Sequence, residues 1–371
     1  MDLLPSSDQL ELAGAASEFF AEQLPVGTIR ERRNEPTAIS DKIWSAGAQL
    51  GLLGLSAPED LGGSGRELDE EVLLFRELGR GLVPGPFLAS VLGARVAALA
   101  GQPDLARSII AGDAPVGLAE RRADGTGGPG GKDGTGGPGG KDGAGGQDGQ
   151  DGADGADGMT LSGRFDLFDA AGARYLLVVD GHAACLVETA GIVEMSPVQC
   201  IDPGTRLASA RADGVRVLCR VTAGQDPIRL RGLVLAAGML VGLAEAVRDQ
   251  AVEHARTREQ FGRPIGVNQA IKHACADMAV AAEAALSQTL FAAIGLRSAH
   301  RDAEFQVLAA KVVAGRAALD GAAANIQIHG GMGYTYEHDA HLFLKRAHVF
   351  HELLGRSTDH LGRLLVQGAA Q

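Results

Sequence analysis

The segment Asn325–Gly355 limits this 371-residue chain most sharply, because it reads as two helices joined by a glycine-rich turn. Gly330 and Gly331 fall where the first helix must stop, since glycine enters the left-handed region without a Cβ clash and lets a second backbone or a ligand come close. Thr335 is placed to cap the following helix, with Glu337 in its first turn among the unpaired amides. Beyond it Ala340, Phe343, Ala347, Phe350 and Leu354 recur at helical spacing. The pattern predicts a bundle helix with one apolar seam and a special entrance.

A chain of this length divides into two or three domains and buries a substantial core. Its 34 basic and 46 acidic residues leave a net charge of −12, which argues against nucleic acid or an anionic membrane as the main partner. No continuous apolar run approaches the roughly 20 residues of a membrane span. The N-terminal Met1–Gly14 lacks the basic and apolar regions of a secretion signal. Cys185, Cys200, Cys219 and Cys275 show no metal or redox spacing and read as reduced thiols of a cytoplasmic protein.

From Ser7 to about Gly112 the apolar spacing is helical, broken by the turn Ala57–Gly65. Strand-like runs follow at Val116–Leu118, Met159–Leu161, Tyr175–Val179, Ala183–Val187, Val193–Pro197 and Val215–Val221. They are interrupted by a glycine-rich insert at 124–158, in which the unit DGTGGPGGK occurs twice. Only Pro129 and Pro138 stiffen its repeats, so it reads as a disordered loop or extended tether rather than a collagen strand. Helices return over Leu233–Arg256, Val267–Ser298, Glu304–His329 and Glu337–Gln367, an antiparallel four-helix bundle. The fold class is therefore mainly α with a small β domain. The expected domains are helices over 1–113, the β domain over 114–224 and the bundle over 225–371.

Gln327, then His329-Gly330-Gly331-Met332-Gly333-Tyr334-Thr335, Glu337-His338 and Lys345-Arg346-Ala347 form one signature. Upstream stands a second, Arg256-Thr257-Arg258-Glu259-Gln260-Phe261-Gly262-Arg263-Pro264-Ile265-Gly266, continued by Gln269, His273 and Ala276-Asp277-Met278. In this order and separation the two resemble the C-terminal signatures of the acyl-CoA dehydrogenase family. The resemblance covers nearly the whole chain outside 120–160. It implies FAD as cofactor, with Arg258 and Gln260 at the pyrophosphate, Phe261 against the cofactor, and Gln327 with Gly331 near its adenosine half. An arginine fork suits a pyrophosphate better than lysine does. In the family these residues serve a flavin held mainly by a neighbouring subunit.

Elsewhere the chain departs from the family. Thr-Glu-Pro-Gly-Ala-Gly-Ser-Asp and Trp-x-Thr-Asn-Gly type segments, which hold the flavin ring in complete members, would fall near Leu118–Ala123 and Phe165–Ala173, and neither is present. The base that takes the α-proton of the thioester is a glutamate at one of two family positions. Here they carry Leu354, with Gly355 the alternative, and Arg231. Glu352 is two residues from the first, about 200° away on a helix. His338, His341, His348 and His351 lack a ligand spacing and read as surface or cap residues, not a metal site. Arg231 and Arg356 read as surface charges, with CoA phosphates or a partner as the alternative contacts.

The combination resembles the smaller, non-catalytic subunit of bacterial α2β2 acyl-CoA dehydrogenases, some of which act on steroid side chains. It implies FAD shared with a homologous subunit that supplies the glutamate, an acyl-CoA substrate and electron-transfer flavoprotein as acceptor. A self-sufficient homotetramer using Glu352 and a non-enzymatic acyl-CoA-binding scaffold are the rival expectations.

Overall fold

The computed structural model describes residues 4–122 and 158–367, so the glycine-rich insert lies, but for Gly158, outside the described residues. Six helices come first: α1 (Ser7–Gln23), α2 (Thr28–Glu31), α3 (Asp41–Gln49), α4 (Leu68–Arg80), α5 (Phe87–Leu99) and α6 (Pro103–Ile110). A capping box starts α1, with Ser6 Oγ accepting from the Gln9 N–H and Gln9 Oε1 from the Ser6 N–H. The α5 helix is apolar on nearly every face and buried to match.

Six strands follow: β1 (Val116–Arg121), β2 (Thr160–Phe168), β3 (Tyr175–Val179), β4 (Ala183–Glu188), β5 (Val193–Val198) and β6 (Leu207–Thr222). Their order is β2-β1-β3-β4-β6-β5, and β2 also pairs with β6, so the sheet closes on itself. Only β1 and β3 run parallel. Closure explains why Tyr175–Val179 is apolar at every position rather than at alternate ones. Leu176 and Val178 fill the interior with Phe165, Leu167 and Val217, whereas Tyr175, Leu177 and Val179 join the core shared with the helices. The second and sixth strands are longer than the apolar runs Met159–Leu161 and Val215–Val221 predict, because ladder pairing carries them through polar residues.

The chain then enters α7 (Ile228–Thr257), a hairpin of β7 (Glu259–Gln260) and β8 (Arg263–Pro264), and the helices α8 (Gln269–Arg297), α9 (Ala303–His329), α10 (Ala340–Glu352) and α11 (Ser357–Gln367). The single helix expected over Glu337–Gln367 is two helices. Leu354 and Gly355 take positive φ values of 63° and 120°, which no helix accommodates. Thr335 does not cap α10: its hydroxyl donates to the Met332 carbonyl, and the helix begins at Ala340.

Among the described residues two helices meet the length and mean hydropathy of a membrane span, α7 at 1.8 and α8 at 1.5, although charged or polar residues interrupt the apolar run of each. The apolar window of α7 is 89% buried within the protein, against 33% for α8. What admits α7 to the centre is small residues at its crossing with α4. A Cβ on Gly79 would stand 1.9 Å from the Met239 carbonyl oxygen, and one on Gly242 would stand 1.8 Å from that of Arg76. The crossing is pinned by Arg76, whose Nε and Nη2 reach the buried Glu245 carboxylate at 2.7 and 3.0 Å. Gly79→Ala should therefore destabilise the protein by about 1–3 kcal/mol through overpacking, read as a lower urea midpoint at unchanged slope.

Candidate functional site

The cofactor residues named by the signatures gather where α7 and α9 end. His254 stacks on His329 with ring centroids 4.1 Å apart, and His329 meets His338 at 4.4 Å. Asn325 Nδ2 donates to Gln250 Oε1 at 3.0 Å, and His329 Nδ1 lies 2.9 Å from the Asn325 carbonyl oxygen. Burial holds His254 and His329 below the usual histidine pKa, so both rings favour the neutral form that stacks without repulsion. The two signature segments leave from this stack. Arg258 ends α7, with its N–H on the His254 carbonyl, while Gly330 ends α9 at φ 63° and ψ −140°, a conformation suited to glycine.

From Arg258 the chain makes the two-residue turn Phe261-Gly262, both at positive φ, as hairpins of this length favour. Phe261 is thereby held fully exposed, at 101% of its reference area. The Arg258 guanidinium has no ion pair or side-chain hydrogen bond among the described residues, and Gln260 donates only to the neighbouring Glu259 carbonyl. Gln327 and Gly331 are exposed, and no atom lies within 4 Å of the place a Gly331 Cβ would take. An unpaired guanidinium, a bare phenyl ring and an open backbone therefore sit on one end of the bundle. They suit the edge of a large anionic and aromatic ligand.

The family base position is built differently. Leu354 is 5% exposed, and its Cδ1 lies 2.6 Å from where a Cβ on Gly232 would stand. Its N–H donates to Glu120 Oε1 at 2.6 Å, and its carbonyl accepts from Arg229 Nη2 at 2.9 Å. Those bonds hold a leucine in the left-handed region, a conformation that costs roughly 1–2 kcal/mol. Glu352 points to solvent, with the His351 ring 3.9 Å away and burial favouring that ring's neutral form. The helix ends at Glu352, so the rotation expected between it and Leu354 does not apply.

Arg231 is not a surface charge. It donates through Nη1 to Glu71 Oε2 at 2.9 Å, and fully buried Glu71 accepts the Ser56 hydroxyl at 2.6 Å. One residue along the helix is a turn of about 100°, and it is Gly232, not Arg231, that faces Leu354. Arg356 is exposed, as expected. The four histidines divide: His348 is exposed, His338 Nδ1 accepts the Ala340 N–H, His341 lies on Tyr336, and His351 is packed over Gly315. Among the described residues no group of three or more His, Cys, Asp and Glu side chains is arranged to hold a metal ion.

Behind the Leu354 turn lies a buried polar cluster that the motifs do not announce. Burial raises the Glu120 carboxyl above its usual pKa and pushes Lys311 down to about 7, while Lys311 Nζ donates to the Phe350 and His351 carbonyls at 2.8 and 2.9 Å. That lysine closes the C-terminal end of α10, where a donor satisfies orphan carbonyls. His360 is buried with neither ring nitrogen partnered among the described residues, and burial pushes it down to about 4. Glu120 stands in the stretch Leu118–Ala123, where the family has its first flavin segment. Here β1 runs on as strand and spends the carboxylate on the Leu354 amide.

Residues 6–111 match the acyl-CoA dehydrogenase N-terminal domain profile and residues 231–364 the C-terminal one. The chain belongs to the acyl-CoA dehydrogenase family. Acyl-CoA dehydrogenase IpdE2 of Mycobacterium tuberculosis is 28% identical over 98% of this chain and 98% of its own length. IpdE2 of Mycolicibacterium smegmatis is 31% identical over 85% of this chain and 84% of that protein. Acyl-CoA dehydrogenase FadE34 of M. tuberculosis is 33% identical over 87% of this chain, which spans only 41% of that longer protein. Among solved structures, the ChsE4-ChsE5 complex of M. tuberculosis contains a chain of the same fold, with a TM-score of 0.82, 24% identity and full coverage of both chains. The family's cofactor is FAD, and the exposed Arg258, Phe261 and Gly331 edge fits part of it. No carboxylate stands at the Leu354 position.

His360 gives the cluster a pH signature. Its folded pKa is depressed from 6.5 to about 4, so the unfolded chain takes up the proton first and stability is lost as pH falls from 6.5 toward 4. Asp169, pushed up to about 6, acts oppositely below that pH, but it does so in wild type and variant alike. His360→Leu should thus gain roughly 1–3 kcal/mol on the wild type between pH 7 and pH 4.5, measured by urea unfolding at each pH.

Proposed function

We propose that this chain is the non-catalytic subunit of a flavin-dependent acyl-CoA dehydrogenase, in which a homologous partner supplies the catalytic glutamate and the two share FAD. The observation that carries the proposal is the contrast between Leu354 and Phe261. The base position is filled by a buried leucine locked against Gly232 and Glu120, while the cofactor edge is kept unpaired at the surface. Arg258 and Gln260 would meet the pyrophosphate, Phe261 would lie along the cofactor, and Gln327 with Gly331 would approach the adenosine. The isoalloxazine would supply the redox chemistry when bound, accepting the β-hydrogen as hydride. This chain's contribution is to hold the cofactor's anionic part with fixed donors and to exclude water with the Phe261 ring.

A partner also accounts for α8. Its apolar window is only 33% buried, and Val280 and Phe291 are exposed at 70% and 40% beside a groove shared with α9. A helix this apolar facing water is an interaction surface. Acyl-CoA as substrate, a steroid side chain as its acyl part, electron-transfer flavoprotein as acceptor and a cytoplasmic setting belong to the same reading. The relatives in mycobacteria and the fold shared with the ChsE4-ChsE5 complex support it.

The test is flavin absorbance and native mass of the chain purified alone and after co-expression with a homologous subunit bearing the glutamate. The expected outcome is a colourless protein alone and a yellow tetramer with about one FAD per heterodimer; one FAD per chain when pure would make it a self-contained enzyme. In the complex, Arg258→Ala should weaken FAD retention about tenfold or more, since a charge-assisted bond is worth roughly 1.5–3 kcal/mol. Glu352→Gln should leave the complex's turnover within about twofold of wild type, as surface substitutions remote from the chemistry do.

A further inference from the structure

At the start of α7 a cavity of about 330 Å³ opens between that helix, the first turn of α4, the second half of α5 and the end of α8. Its size is at the small end of the range of small-molecule sites. Four guanidinium groups line it, those of Arg66, Arg95, Arg231 and Arg297, against the carboxylates of Glu67 and Asp226. Arg231 is the least exposed of the four, at 12%, and only its Nη1 is committed, to Glu71. Its Nε and Nη2 have no acceptor among the described residues and are not sealed from solvent, so they open on the cavity. Arg95 is arranged alike: Nε and Nη2 both donate to Asp226 Oδ2, at 3.2 and 2.5 Å, and Nη1 is left over. Neither wall carboxylate occupies these spare donors, since Asp226 Oδ1 is sealed from solvent and Glu67 is exposed at the rim. Burial lowers the Arg231 pKa from the usual arginine value, Glu71 offsets part of that shift, and the Arg95 charge adds to it. A buried cation whose spare donors share a space with a like charge is stabilised by an anion placed there.

We propose that this cavity binds a small phosphomonoester, with Arg231 and Arg95 donating to its phosphate. Such a group brings about two negative charges and three acceptor oxygens at pH 7, so one centre can accept from two guanidinium groups at once, whereas a carboxylate has two oxygens and one charge. The donors are fixed before a ligand arrives. Glu71, itself holding the Ser56 hydroxyl, fixes Arg231, and Asp226 fixes Arg95, so little side-chain freedom remains to be lost on binding. Arg66 and Arg297 add positive charge at the mouth, where both are exposed. The walls include neither Gly232 nor Leu354, and the cavity stands about 40 Å along α7 from Arg258, so it is separate from both the closed base position and the cofactor edge.

The probe is glycerol 3-phosphate, titrated by calorimetry into the purified full-length chain in chloride at physiological ionic strength, with malonate and coenzyme A as comparison ligands. The phosphomonoester should bind saturably with a Kd of about 1 mM or below, the strength that two charge-assisted hydrogen bonds supply. Malonate, whose charge is split between two centres, should bind about tenfold more weakly. Arg231→Gln should weaken glycerol 3-phosphate binding about tenfold or more. Should that variant not fold, Arg66→Glu decides: it sets a carboxylate at an exposed place on the rim and should weaken binding about threefold or more. No saturable binding, equal affinity for malonate, or unchanged affinity in the folded variant would each overturn the proposal. Displacement of glycerol 3-phosphate by coenzyme A would assign the cavity to the path of the thioester and overturn it as well. None of these readouts involves FAD, so failure here is distinguishable from failure of the shared-cofactor reading.

Discussion

The backbone contact between α4 and α7 is the constraint on which the rest of the structure depends. Helices separated by ordinary side chains leave a gap that apolar residues must fill, whereas Gly79 and Gly242 bring the Met239 and Arg76 carbonyls into direct contact with the opposing helix. That approach seals the apolar middle of α7 from water. With α7 fixed, α9 packs along it, and the stack of His254 on His329 aligns their ends. Gly232, near the start of α7, then offers a hollow into which Leu354 fits closely.

The two ends of this arrangement have opposite characters. At the far end a two-residue turn exposes a phenyl ring, and an arginine stands without a counter-ion among the described residues. At the near end the charged groups about Leu354 are committed: Glu120 to its amide, Arg229 to its carbonyl, Lys311 to the end of α10. Unmet interactions mark a surface prepared for something else to complete it, and exhausted interactions mark a place where chemistry has given way to packing. The separation is what sets the exposed Arg258 and Phe261 end of the bundle apart from the closed Leu354 turn.

Buried ionisable groups of this kind are tolerated because they are arranged in compensating sets. Lys311 and Glu120 attract across the Leu354 turn, each losing hydration that the other partly replaces. Arg346 and Asp202 do the same between α10 and the loop that joins β5 to β6, although there the pairing leaves one guanidinium nitrogen over. His360, by contrast, has no partner among the described residues, and burial favours its neutral form.

The sequence by itself determined the element classes and the family. Helical and strand periodicities are local, and the two C-terminal signatures carry the resemblance to the family in their order and separation. It also determined that no carboxylate stands at Leu354, Gly355 or Arg231. Only the tertiary structure decided what those positions do. Arg231 read as a surface charge because Glu71 is 160 residues away in the chain, at a separation no local pattern reports. The last helix read as continuous because its apolar seam is continuous; Glu120 and Arg229, brought from β1 and α7, impose the break at Leu354. Glu120 itself carried no signal beyond lying in the stretch of a missing family motif. Local patterns encode which residues share a face, but the partner of a buried charge is chosen by how the layers close.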